Sequence, residues 1–270
     1  MEIEVNHVIG SLINEVKQFG EIRLKQKFDI KGSEQPITDC IVLPDDRIIV
    51  AVYFGSGNLK EYNINGKHIR DIPISNKPFI LTAIDTDRIA VTYGDGKYME
   101  IINTTGNSDR KKVQCSSNCW GISYQDQKLY VIVFQQGIVV MNLNGKTLNT
   151  MDIDVSGVFN ITTTSDGIYY TDEASNTVHC CSMTGQEIWV FNDESIILTR
   201  GISVDSNQNV FVVDEAFNNL TLIQHDGKDS KVLLTDRDGL ESLIAVHYNK
   251  QKKIICLCYK IGRVALYQVS

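Results

Sequence analysis

At 270 residues, 43% hydrophobic and 22% charged, the chain has material for a packed core and lies outside the composition of disordered proteins. A net charge of -7 is the wrong balance for a surface that coats itself in nucleic acid. No apolar run approaches the ~20 residues that span a bilayer, and the first residues lack a basic segment followed by an apolar one. Neither a membrane partner nor a secretion signal is expected. The seven cysteines are odd in number and irregular in spacing, which predicts seven free thiols in a reducing, cytoplasmic setting.

In chain order, the first element is a short amphipathic helix within residues 1–19. Ile9, Leu12, Ile13 and Val16 fall at helical spacing, Ser11 can cap the start and Gly20 can stop it. Residues 21–30 then alternate as a strand does. From there a repeat takes over. The β-rich runs beginning at Ile48, Ile89, Leu129, Ile168, Val210 and Ile254 start 41, 40, 39, 42 and 44 residues apart. Each is followed by a turn and a second run, and five of these second runs end in Gly66, Gly106, Gly145, Gly185 and Gly227. Asn-Gly, Thr-Gly and Asp-Gly pairs are hairpin chemistry, because glycine accepts a positive φ without steric cost. Six copies of a roughly 40-residue, four-strand unit predict an all-β fold, a six-bladed β-propeller over residues 20–270. The first run of each unit, at 37–43, 79–84, 120–124, 158–164, 201–204 and 243–248, packs at the axis. The last unit is one strand short, so residues 21–30 are expected to supply its outer strand and close the ring.

The fifth unit reads Arg200-Gly-Ile-Ser-Val-Asp205, a turn, Val210-Phe-Val-Val-Asp214, then Asn218, Thr221-Leu-Ile and Asp226-Gly227. This resembles an NHL repeat. Unit four matches in part through 168–172, Asn176 and Thr184-Gly185, and unit three keeps Trp120-Gly-Ile-Ser and Asn144-Gly145. Units one, two and six are placed by spacing. The resemblance to the propeller of tripartite-motif (TRIM-NHL) proteins implies a ring that holds a protein or RNA target. It also makes the segment before the ring similar to the end of a coiled coil, through which a longer form would self-associate; docking against the propeller wall fits the same amphipathic pattern. No Cys/His cluster has the zinc spacing of a RING or B-box, so ligase activity in the ubiquitin pathway would need elements beyond these residues.

No catalytic constellation emerges. The five histidines are scattered, Cys115 and Cys119 have no second ligand pair, and the axial runs offer mostly Ile, Val, Thr and Ser. No cofactor, metal or catalytic residue is expected, and a lactonase-like hydrolase is the third reading after protein and RNA binding. Asp172 and Asp214 occupy the same turn in adjacent units, followed at equal offset by Asn176 and Asn218, a pattern expected of turn caps. Alignment of the units places Thr38, Ile80, Trp120, Phe159, Arg200 and Ile244 at the start of the axial strands, around one pore mouth. Trp and Arg often dominate interfaces. These six, with Asp172, Asp214 and Phe217 in neighbouring turns, form the predicted partner-binding set, although packing between blades would explain the same pattern. The basic runs 110–112 and 250–253 fall away from this face, which disfavours RNA there.

Overall fold

The structure, a computed structural model, describes residues 20–32, 36–53, 58–105 and 110–270. The expected N-terminal helix lies outside the described residues. The rest forms six four-stranded antiparallel sheets arranged as the blades of a propeller. Blade one holds β2 (Ile37–Val42), β3 (Ile48–Val52), β4 (Asn58–Tyr62) and β5 (His68–Pro73), after β1 (Ile22–Asp29). Blade two holds β6 (Leu81–Ala83), β7 (Arg88–Thr92), β8 (Tyr98–Asn103) and β9 (Arg110–Gln114). Blade three is β10 (Cys119–Gln125), β11 (Lys128–Val133), β12 (Gly137–Asn142) and β13 (Thr147–Met151). Blade four is β14 (Val158–Thr163), β15 (Ile168–Asp172), β16 (Thr177–Cys181) and β17 (Glu187–Phe191). Blade five is β18 (Thr199–Val204), β19 (Val210–Asp214), β20 (Asn219–Ile223) and β21 (Ser230–Leu234). Blade six joins β22 (Leu243–Asn249), β23 (Ile254–Tyr259) and β24 (Arg263–Val269) to β1, in the order β1-β24-β23-β22.

Ring closure is as expected from the missing strand. β1 pairs antiparallel with β24 from Ile22 opposite Val269 to Asp29 opposite Arg263. The chain end is tied down further by Ser270 N donating to the Glu21 carbonyl at 3.2 Å. The edge of β24 that would otherwise be bare is therefore covered. The second and third strands of each blade are mostly buried, and the apolar cores lie between neighbouring blades. Ile30, Ile37 and Val42, for example, pack with Ala245, Cys256 and Leu266 across the seam of blades one and six. Outer strands such as β13 and β17 are largely exposed. Gly66, Gly145, Gly185 and Gly227 all have left-handed φ, between 72° and 88°, as their hairpin turns require.

One expectation fails at that seam. Cys40 of β2 and Cys258 of β23 form a disulfide across a sequence separation of 218, so five thiols, not seven, are free. The partners belong to the first and last blades, which only the closed ring brings together. Among the described residues no helix is long and apolar enough to cross a membrane.

Candidate functional site

In a propeller the turns from second to third strand and the links from fourth strand to the next blade share one face. The inner strands begin at that face. Here Trp120 meets Phe159 edge-on with ring centroids 5.4 Å apart, and Phe79 meets Trp120 at 4.8 Å and Phe159 at 6.2 Å. The three aromatics come from blades two, three and four and are half-buried. The indole lies over Gly94, whose φ of 49° is left-handed and where any Cβ would run into the ring. Such edge-to-face pairs add about 0.5–1.5 kcal/mol each beyond the area they bury. The cluster is therefore presented in a fixed shape.

Arg200 stands beside this cluster in sequence alignment but its charge is already matched. Its Nη1 donates to Glu173 Oε2 at 2.5 Å and its Nε to Glu215 Oε2 at 2.7 Å, while Lys260 Nζ donates to Glu215 Oε1 at 2.6 Å. Burial works to raise both carboxyl pKa values. It prevails at Glu173, whereas at Glu215 the bonds from Lys260 and Arg200 outweigh it and hold the carboxyl below its ordinary range. An arginine waiting for a partner's carboxylate is not what the geometry shows.

The other predicted residues divide. Thr38 donates to the Pro78 carbonyl at 3.2 Å, and Ile244 packs partly buried against the seam of blades six and one. Ile80 is only 6% exposed, in the core between blades two and three; its neighbour Phe79 is the residue that reaches the aromatic cluster. Asp172 and Asp214 are turn anchors. Asp172 Oδ1 accepts from Ala174 N at 2.8 Å, and Asp214 accepts from Phe217, Ile197 and Leu198 backbone N–H groups at 2.6 to 2.7 Å. Asn176 and Asn218 take left-handed φ of 57° and 51° in the same turns. Asp214 is fully buried, which removes it from any contact with a partner.

Phe217, by contrast, is 47% exposed. It shares its face with exposed Phe134, Ile197 and Ile261. The remaining exposed large apolar side chains among the described residues are Leu24, Ile69, Leu148, Ile188, Val190 and Val232, all on outermost strands. The opposite face has none among the described residues. The basic run 110–112 lies on the outer strand β9, with Lys112 over the Tyr98 ring, and Lys252 pairs with Asp46 at 3.5 Å on the opposite face.

Below the aromatic layer, a cavity of about 320 Å³ runs along the axis. Its walls begin at Ile80, Asn160 and Gly201 and end at Pro44, Gln125, Lys250 and Gln251, in the turns of the opposite face. The inner strand of each blade is a sheet edge, so N–H groups facing the axis lack a neighbouring strand. Side chains of the preceding blade take that role. Thr82 Oγ1 accepts from Tyr124 N at 3.1 Å, Ser123 Oγ from Thr163 N at 3.1 Å and Ser203 Oγ from Tyr248 N at 2.9 Å. His247 Nδ1 accepts from Val42 N at 3.3 Å, and Asp39 Oδ2 from Leu81 N at 2.7 Å. Burial pushes the Asp39 carboxyl up to about 7 against its two backbone N–H bonds, and burial with the nearby Lys250 charge pushes His247 down to about 4.

To an axis lined mostly by Ile, Val, Thr and Ser, as expected, this layer adds Asp39, Asn160 and His247. The signal was present in the sequence. Thr82, Ser123, Thr162, Ser203 and His247 occupy one position of the repeat, interrupted only by Ile41 in the first blade.

No protein-family model and no curated protein sequence matches the chain. Solved structures do. A Bacteroides thetaiotaomicron protein of unknown function superposes with a TM-score of 0.75 at 9% identity, over 92% of this chain and 76% of that one. Virginiamycin B lyase from Staphylococcus aureus gives 0.68 at 10% identity, over 93% of this chain and 100% of the lyase. A streptogramin B lyase gives 0.70 at 11% identity, over 92% and 98%. At these identities the likeness establishes the six-bladed propeller and nothing finer. Because two of the neighbours are lyases, the fold alone does not separate a binding platform from an enzyme.

Proposed function

We propose that this propeller is a non-catalytic platform that holds a protein target on the face carrying Phe79, Trp120 and Phe159. One observation carries the reading: outside the outermost strands, the exposed large apolar side chains of the described residues, Phe134, Ile197, Phe217 and Ile261, all lie on that face. Exposed apolar groups gathered on one side of a molecule, around rigid aromatics, are what an interface requires. The NHL-like motifs of blade five point the same way, toward the target-recognition part of a TRIM-like protein of the ubiquitin pathway. Arg200 and Lys260 are matched by Glu173 and Glu215, so they offer little to a phosphate backbone. Asp39 and His247 engage their acceptor atoms with backbone N–H groups, which suits a structural role better than acid–base work.

The test is affinity capture with the full chain and with Trp120→Ala, with and without ribonuclease. A protein held by the wild type, indifferent to ribonuclease and lost with Trp120→Ala at an unchanged melting temperature, is the expected result. Loss of the captured species after ribonuclease treatment would move the reading to RNA.

A further inference from the structure

We propose that the axial cavity is a binding site for a small oxyanion, entered from the face that bears Lys250. A hydroxyl has one proton and two lone pairs, and a neutral imidazole has one donor and one acceptor nitrogen. In this layer the acceptors face the neighbouring blade. Thr82 and Ser203 each accept a backbone N–H, which leaves the hydroxyl proton as the group to be placed. Ser123 and Thr163 share one hydroxyl–hydroxyl bond at 2.9 Å, in which one proton is used and one remains. His247 accepts at Nδ1, which fixes the neutral tautomer with its proton on Nε2.

Among the residues lining the cavity, the single carboxyl group, that of Asp39, accepts from Cys40 N at 2.8 Å and Leu81 N at 2.7 Å. The acceptors of Asp39, Thr82, Ser123, Ser203 and His247 are thus committed to backbone N–H groups, and the hydroxyl and imidazole protons of this layer remain for a guest. A cation would find few free oxygens. A neutral polyol would find side-chain acceptors mainly in the amides of Asn160, Gln125 and Gln251, fewer than its hydroxyl protons need. An acceptor-rich anion finds both the donors and, at the open end, the Lys250 ammonium. The volume, about 320 Å³, lies at the small end of ligand pockets and suits a phosphate or a short dicarboxylate with its waters.

The full chain would be titrated calorimetrically with inorganic phosphate and with malonate at constant ionic strength. Chloride and glycerol serve as controls, and the ring nitrogens of 15N-labelled histidine are followed by NMR. Saturable one-to-one binding of phosphate or malonate, with the His247 Nε2–H resonance shifted, is expected, and the tighter probe distinguishes phosphoryl from carboxylate chemistry. Lys250→Gln should weaken that binding about tenfold without moving the melting temperature of the ligand-free protein. The proposal is overturned if neither probe binds saturably, if glycerol binds as well, if the His247 signals stay still, or if Lys250→Gln binds like the wild type.

Discussion

The two ends of the propeller axis are built by the same six inner strands and present opposite chemistry. Where the strands begin, Phe79, Trp120 and Phe159 pack edge-to-face and the neighbouring charges are matched within the chain. Where they end, the axis is hollow and lined by hydroxyls, an imidazole and a carboxyl whose acceptors hold adjacent blades together. The difference follows from what each position along an edge strand must do. At the mouth, the large apolar side chains pack on one another across the blades. Inside, the Thr82, Ser123, Ser203, His247 and Asp39 side chains accept from N–H groups that no strand reaches, which gives polar residues a use there.

Both ends depend on one closed ring, so the largest effect comes from opening it. Deleting residues 1–31 removes β1 and bares β24, and aggregation or loss of the cooperative melting transition is expected. Deleting 1–19 alone keeps β1 and should melt close to the full chain. Equal behaviour of the two truncations in melting and light scattering would break the closure picture.

The next effect separates the ends. Trp120→Ala should cost about 2 kcal/mol or more of partner binding, as central interface residues do. Its melting temperature should move little, because the indole is only partly buried, at the mouth of the axis and not within a core between blades. An early-melting variant would make the aromatic cluster a packing feature and erase the contrast.

A smaller effect sharpens the polar end through pH. Asp39 is raised from 3.8 to about 7, so the folded chain holds this proton more tightly; that contribution is full below 3.8 and is lost as pH rises through about 7. His247 is lowered from 6.5 to about 4, so its contribution is full above 6.5 and is lost as pH falls toward 4. The slopes oppose each other over most of this window, each at most about 1.4 kcal/mol per pH unit. Relative to the wild type, Asp39→Asn should steepen the rise of unfolding free energy with pH, and His247→Gln should turn it toward a fall. Denaturant titrations at several pH values give both signs. Parallel curves for all three proteins would mean that neither group is buried as described.

The smallest expected signal is a count. Denatured without reductant, the chain should expose five reactive thiols, and seven after reduction. Seven from the outset would remove the covalent link between blades one and six.

Much of the fold was legible because it is periodic. Strand runs near every fortieth residue, glycine at the hairpins, and one strand missing from the last unit suffice to place β1 beside β24. The Asp172 and Asp214 turns were legible for the same reason. The site was less so. In blade two the inner strand spans only Leu81–Ala83, and a one-residue slip in alignment put Ile80 where Phe79 stands. Asp214 and Arg200 look available in a sequence; only the fold shows one buried and the other held between two glutamates. The Cys40–Cys258 bond has no local signature at all, since its partners meet only after the ring closes.

The most direct test of two chemically independent ends is a crossed comparison of Trp120→Ala and Lys250→Gln. Each would be assayed for partner capture, for protection against melting by phosphate, and for melting alone. Trp120→Ala is expected to lose capture and keep protection, and Lys250→Gln to keep capture and lose protection, with both melting like the wild type. Either variant losing both activities at an unchanged melting temperature would contradict the division of the axis into two sites.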